Sequence, residues 1–160
     1  MDARHQQATG HLMVEVAIAD IHVAAEWIAK NPDDYGMVIH ELTHVVQRYA
    51  SPVKREDTWL MEGIADYIRH KYFEKDIEKV HVGRKASYKE GYVPAAAFLF
   101  WLETKKDPEV VHKLNAALND GSYTNELFNK YCGASLEDLW KDFINDKHPP
   151  NSGTSANPQP

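Results

Sequence analysis

The chain has 160 residues and carries 18 Lys and Arg against 24 Asp and Glu, a formal net charge of −6. This length suits one domain, and 43% hydrophobic with 11% aromatic residues are enough for a packed core, which excludes a wholly disordered chain. The acidic balance argues against a nucleic-acid-binding protein. No apolar run is long enough to cross a membrane, and a single cysteine excludes a disulfide framework.

The N-terminal region contains the one stretch with strand character. Apolar side chains in residues 11–23 recur with a rough period of two at Val14, Val16 and Ile18, although a helix also fits this stretch. The first ten residues lack the basic-then-apolar pattern of a signal peptide, so they do not indicate export. The turn Asn-Pro-Asp-Asp at 31–34 is placed to cap the helix that follows.

The rest of the chain is predicted to be helical. The first long helix covers 35–50, before Ser-Pro, and its predicted apolar stripe is Val38, Leu42, Val45 and Val46. The second covers 57–73 and is followed by a solvated loop over 74–91; further helices are expected at 94–104, 108–119, 123–131 and 135–146. The predicted class is mainly α (α+β), with one domain over 1–147 and a disordered, proline-rich tail over 148–160.

Two histidines stand out from the nine in the chain. They form the pattern His40-Glu41-Leu42-Thr43-His44, in which residues four apart share one face of a helix. Both imidazoles can then bind one zinc ion, and Glu41 is placed to take a proton from a metal-bound water. The alternative is a helix with two hydrogen-bonded core histidines.

A third protein ligand is expected on the second long helix. Glu62 lies among apolar neighbours, where a buried carboxylate needs a partner, and a zinc ion would be that partner. Asp66 is one turn further on and can accept the free N–H of a ligating histidine. Gly63, between them, would let the two helices approach closely. The alternative for both acidic residues is a solvated helix face.

These residues resemble a known group of proteins. His-Glu-x-x-His followed by Glu-Gly-x-Ala-Asp-Tyr resembles the gluzincin metallopeptidases. His-Glu-Leu-Thr-His-Val-Val-Gln, Glu-Gly-Ile-Ala-Asp-Tyr-Ile-Arg and Gly-Tyr-Val-Pro-Ala-Ala-Ala-Phe-Leu together resemble the basic secretory protein family of plants and bacteria, and the likeness runs from about residue 18 to 146. The resemblance implies a zincin-like fold: a small N-terminal β segment, an active-site helix and a C-terminal helical lobe. It also implies a secreted or cell-envelope protein.

The resemblance implies roles for individual residues. His40, His44 and Glu62 match the zinc ligands, Glu41 the general base and Asp66 the carboxylate behind a ligand. Residues 18–25 resemble the edge strand that pairs with the substrate backbone. Tyr92 is the candidate donor to the oxyanion of the tetrahedral intermediate, although a packing role is equally compatible with its position. Tyr88 and His81, in the preceding loop, are further candidates for that donor.

The sequence therefore predicts a monomeric zinc metallopeptidase with one Zn²⁺ per chain and a peptide or protein as substrate. An endopeptidase is favoured because the chain lacks the Gly-x-Met-x-Asn segment that grips a free amino terminus in zinc aminopeptidases. One alternative is a catalytically silent zincin-fold module that binds peptides or glycans, and another is a helical scaffold with a fortuitous motif. The four tryptophans, Trp27, Trp59, Trp101 and Trp140, are predicted to lie in the core.

Overall fold

The computed structural model describes residues 16–17, 20–21, 24–47, 49 and 52–149. In this part of the chain the secondary structure is mainly helical, as the sequence predicts. The elements are β1 (Val16–Ala17), β2 (Asp20–Ile21), α1 (Ala25–Lys30), α2 (Tyr35–Gln47), α3 (Thr58–Ile68), α4 (Tyr92–Lys105), α5 (Val110–Asp120), α6 (Glu126–Cys132) and α7 (Leu136–Lys147). A π-helical turn, Arg69–Phe73, continues α3, and none of the described helices is long and apolar enough to cross a membrane.

The N-terminal strands are minimal. β1 and β2 form a two-residue antiparallel pairing in which Val16 faces Ile21 and Ala17 faces Asp20. The other residues of the stretch predicted as a strand, 11–15, 18–19 and 22–23, lie outside the described residues. The predicted edge strand over 18–25 is also incomplete, because Ala25 already belongs to α1, a helix that the sequence analysis did not anticipate.

The hydrophobic core is formed by side chains of the five helices from α3 to α7 and of the segments that connect them. Its largest fully buried side chains include Phe98, Phe128 and Phe143. Phe98 of α4 contacts Phe128 of α6 and both Trp140 and Phe143 of α7. Full burial of one such aromatic side chain stabilises the fold by roughly 1.5–3 kcal/mol. The core thus fixes α3, the helix that carries Glu62 and Asp66.

The predicted apolar stripe of α2 is wrong. Leu42 is 44% and Val46 81% exposed, whereas the buried residues of α2 are Gly36, Met37, His40 and Glu41. His40 turns inward because its imidazole contacts Glu62 and Asp66 on α3, and the helix can present only one face to that neighbour.

Trp27 is not a core residue, contrary to the prediction. All of α1 is exposed, and the Trp27 indole N–H donates to the Asp34 carboxylate at 3.2 Å. Trp59 and Trp101 are buried as predicted, and Trp140 is partly buried against the core.

The segment between α3 and α4 is not simply a solvated loop. Ile77, Val82 and Tyr88 are buried in it, because two short 3-10 turns fold the chain back over the core. His148, predicted as the first tail residue, donates from Nε2 to the Val82 carbonyl at 2.7 Å. The predicted tail residues 150–160 lie outside the described residues.

Candidate metal centre

Three side chains from α2 and α3 converge in one cleft. His40 Nε2 lies 3.1 Å from His44 Nε2 and 3.2 Å from Glu62 Oε2, and His44 Nε2 lies 3.4 Å from the same oxygen. The i,i+4 spacing on α2 brings the two imidazoles together, and α3 brings the carboxylate to them. The structure therefore places the three predicted ligands within reach of one another.

The spacing of these three atoms fits a zinc ion. Bonds of about 2.0–2.1 Å in a tetrahedral site put neighbouring ligand atoms about 3.3 Å apart. The three observed separations of 3.1, 3.2 and 3.4 Å bracket that value. All three atoms carry lone pairs, so their close approach needs a proton or a cation between them. Two imidazoles and one carboxylate are also a donor set that zinc commonly uses.

Each imidazole is hydrogen-bonded on its other nitrogen. His40 Nδ1 lies 2.7 Å from Asp66 Oδ1, as predicted for the carboxylate one turn after Glu62. His44 Nδ1 lies 2.8 Å from Gln47 Oε1, a partner that the sequence analysis missed. The signal for Gln47 was present, since residues three apart on a helix are neighbours.

Opposite charges shift the pKa values of the facing groups. Burial lowers the pKa of His40, but hydrogen bonds and charge from Asp66 and Glu62 outweigh it and raise this pKa to about 9. Burial raises the pKa of Glu62, but the hydrogen bonds from His40 and His44 outweigh it and lower this pKa to about 2. Both shifts arise because His40 and Glu62 each stabilise the charged form of the other.

Glu41 lines the same cleft, which has a volume of about 410 Å³. The residue is 9% exposed, and its burial raises the pKa of its carboxyl group. Buried carboxylates with raised pKa values are suited to accept and release a proton near neutral pH. The cleft also contains Met37, Asp34 and Arg69, whose guanidinium is paired with Asp34 at 3.2 Å and with Glu74 at 2.6 Å.

Tyr92 stands at the edge of the cleft with an unusual backbone. Its φ of +45° lies in the left-handed region, which is sparsely populated for bulky residues and is found preferentially at functional sites. The ring stacks on His40, with centroids 5.8 Å apart and planes 21° apart, and the residue is 53% exposed. Burial of part of the ring, with the charges of Glu62, Asp66 and Glu41, raises the pKa of the phenol.

The other oxyanion candidates lie elsewhere. Tyr88 is buried against Trp59 and Trp140, and its hydroxyl donates to Glu137 at 3.3 Å. His81 is exposed and lies beside His148. Neither lines the cleft. Gly63 also differs from its predicted role, because it faces Ala95 of α4 and not α2.

A second cluster, His70 with Glu74 and Asp76, also has the residue types of a metal site. His70 Nδ1 lies 2.8 Å from Asp76 Oδ1, while Nε2 is buried with no hydrogen-bond partner among the described residues. A proton on Nε2 would be a buried donor without an acceptor, so the proton belongs on Nδ1. In the metal-free protein this cluster is a hydrogen-bonded group at the end of the π-helical turn.

Comparison with known proteins identifies a family for most of the chain. The model of the family described as "Peptidase of plants and bacteria" (BSP) matches residues 7–143, which is most of the chain. No curated protein and no solved structure gave a significant match. Because the family model covers most of the chain, including α2, α3 and the core, the chain belongs to the basic secretory protein family of peptidases of plants and bacteria.

Proposed function

We propose that the chain is a zinc-dependent endopeptidase of the gluzincin type, with one zinc ion held by His40, His44 and Glu62. The observation that carries the proposal is the convergence of their three ligand atoms at separations of 3.1 to 3.4 Å. Membership of a peptidase family supports hydrolase activity at a coarse level.

Different residues of the chain would bind the metal, orient a ligand and transfer the proton. A bound zinc ion polarises a peptide carbonyl and lowers the pKa of water. His40, His44 and Glu62 bind the ion, while Asp66 accepts the Nδ1 proton of His40 and so directs Nε2 toward the site. Glu41 accepts a proton from the attacking water and passes it to the departing amine; such a group accelerates a reaction by roughly 10²–10⁴-fold.

Tyr92 would stabilise the negative charge that develops on the carbonyl oxygen. The Tyr92 ring stacks on His40 and lines the cleft. The Tyr92 backbone is strained, with a left-handed φ. A left-handed bulky residue costs on the order of 1–3 kcal/mol, which is compatible with a position selected for function. We further propose that the enzyme acts as a monomer on peptides or unfolded proteins.

The decisive experiment compares metal content and cleavage in matched variants. Protein purified without chelator is assayed for zinc and for cleavage of a denatured protein. Wild type should hold about one zinc per chain and lose activity with a chelator, while Glu41→Gln should keep zinc and lose roughly 10²–10⁴-fold in activity. Glu78→Gln, which changes an exposed glutamate outside the cleft, is the control and should behave like wild type.

The outcomes separate the alternatives. Zinc without cleavage of any substrate in wild type would favour the silent module that binds peptides or glycans. Absence of zinc from wild type would contradict both metal-dependent functions.

A further inference from the structure

Gln47 is the last residue of α2, three residues beyond His44. Its side-chain carbonyl Oε1 lies 2.8 Å from His44 Nδ1. Its amide Nε2 makes a longer contact of 3.5 Å with the main-chain carbonyl of Met61 on α3. The side chain therefore joins one predicted zinc ligand to the residue directly before another, Glu62.

The chemistry of this contact fixes the tautomer of His44. The Met61 carbonyl can only accept a hydrogen bond, so the Gln47 amide group points toward it and Oε1 points toward His44. A carbonyl oxygen also only accepts, so His44 must carry its proton on Nδ1. The lone pair of a neutral His44 then lies on Nε2, the atom that faces His40 Nε2 and Glu62 Oε2.

We propose that Gln47 is a positioning residue that holds His44 in the orientation and tautomer needed to bind the metal. This inference rests on the proposed function. Asp66 makes the corresponding contact to His40, so each imidazole has its own acceptor behind it. Partners of this kind usually contribute 10–100-fold to metal affinity.

The two acceptors differ in charge, and this difference makes the inference testable. Asp66 is anionic, whereas Gln47 is neutral and also donates to Met61. Gln47→Glu keeps an acceptor oxygen for His44 but loses the donor to Met61. Gln47→Leu has a similar size and loses both, so the pair of variants separates the contact to His44 from the contact to α3.

The experiment measures the zinc dissociation constant by competition with a chromophoric chelator. Gln47→Leu should bind zinc 10–100-fold more weakly than wild type, and Gln47→Glu should bind within about threefold of wild type or more tightly. In the zinc-loaded protein, the Nδ1 proton of His44 should give a slowly exchanging NMR signal in wild type and Gln47→Glu, and this signal should be lost in Gln47→Leu.

Asn119→Leu is the control, because Asn119 is an exposed residue on the second cavity that Gln47 lines, away from the metal cleft. It should bind zinc like wild type. Equal affinity of Gln47→Leu and wild type would overturn the inference, as would equal weakening of both Gln47 variants, since the contact to Met61 would then be the one that matters. Failure of wild type to bind zinc would instead overturn the proposed function, and the inference with it.

Discussion

His40 and Glu62 form the charged pair at the centre of the cleft in the metal-free protein. The imidazole has a pKa of about 9 and the carboxyl group a pKa of about 2, so between these values both groups are ionised. A zinc ion requires the neutral imidazole. The metal therefore competes with a proton that the site already holds more tightly than a free histidine would.

This competition predicts that zinc affinity depends on pH. Below about 9, His40 must lose its proton when zinc binds, so affinity should rise by up to tenfold per pH unit from pH 7 to 8.5 and level off near pH 9. Chelator competition across this range measures the slope. Asp66→Asn removes one of the two carboxylate charges that raise the pKa of His40, so the zinc affinity of this variant should level off at a lower pH. A wild-type affinity that is constant from pH 7 to 8.5 contradicts the prediction.

Tyr92 permits a test of the hydroxyl apart from the ring. Tyr92→Phe keeps the stacking on His40 and the left-handed backbone, so zinc binding and melting temperature should not change. Loss of an oxyanion donor should lower kcat by about 10²–10³-fold. Steady-state kinetics on a peptide substrate measure the effect, and Tyr35→Phe, at an exposed tyrosine outside the cleft, serves as the comparison. Unchanged kcat in Tyr92→Phe would leave this tyrosine a packing role only.

At the scale of elements, the close contact between α3 and α4 positions Glu62 and Asp66, the two carboxylates of the candidate site. A Cβ atom placed on Gly63 would lie 2.6 Å from the Ala95 Cβ, a distance that side chains do not adopt. Glu62 and Asp66 flank this contact on α3. The absence of a side chain at Gly63 therefore sets how deeply α3 sits against the core, and with it the position of both carboxylates.

Gly63→Ala should destabilise the fold. Alanine favours a helix by about 1 kcal/mol over glycine, but overpacking against Ala95 costs about 1–3 kcal/mol, and backbone atoms nearby restrict relaxation. Urea denaturation measures the free energy of unfolding. Ala95→Gly in the same chain removes the opposing methyl and should restore part of the loss. Gly83→Ala is the control and should be neutral or slightly stabilising, because a Cβ atom at Gly83 would have no non-neighbouring atom within 4 Å. A Gly63→Ala protein as stable as the Gly83→Ala protein would refute the overpacking.

Local patterns in the sequence indicate most of the helices. The proximity of His40 and His44 follows from their spacing along one helix, because that spacing is short-range and fixed by 3.6 residues per turn. Glu62 lies on another helix, and its prediction as a ligand depends on its apolar neighbours and on the family resemblance. The exposure of Leu42, Val46 and Trp27 could not be predicted, since it depends on which helix face meets α3 and on where α1 lies. The first candidate for the oxyanion donor, Tyr92, lines the cleft and Tyr88 does not, a difference set by the tertiary course of the loop before α4.

At the scale of the whole molecule, the candidate site lies between α2, which buries few apolar side chains, and α3, which belongs to the hydrophobic core. Among the described residues, the buried hydrophobic cluster runs from Trp59 to Phe143 and takes no member from α2. α2 carries His40, Glu41 and His44, and two of its four buried residues are polar. A helix with little apolar burial is held mainly by its specific contacts, which here include those of the candidate metal centre.

Hydrogen exchange should reveal this difference. In metal-free protein, amides of α2 should exchange faster than those of α3 and α4, because opening α2 exposes less apolar surface. Zinc should slow exchange in α2 more than in α4 and raise the melting temperature by mass action. Mass spectrometry of peptides from each helix measures the rates. Equal protection of α2 and α4 without metal would show that α2 is not the weaker part.

The separation of the core from α2 also affects how the sequence can change. Residues that maintain the fold lie in one set of helices, while three of the residues assigned to the chemistry lie on a helix outside that core. Replacement of Glu41 in a descendant of this chain would remove the proposed proton acceptor without opening a cavity in the hydrophobic core. Such a descendant would still fold, so selection could redirect the cleft to a new ligand without passing through an unfolded protein.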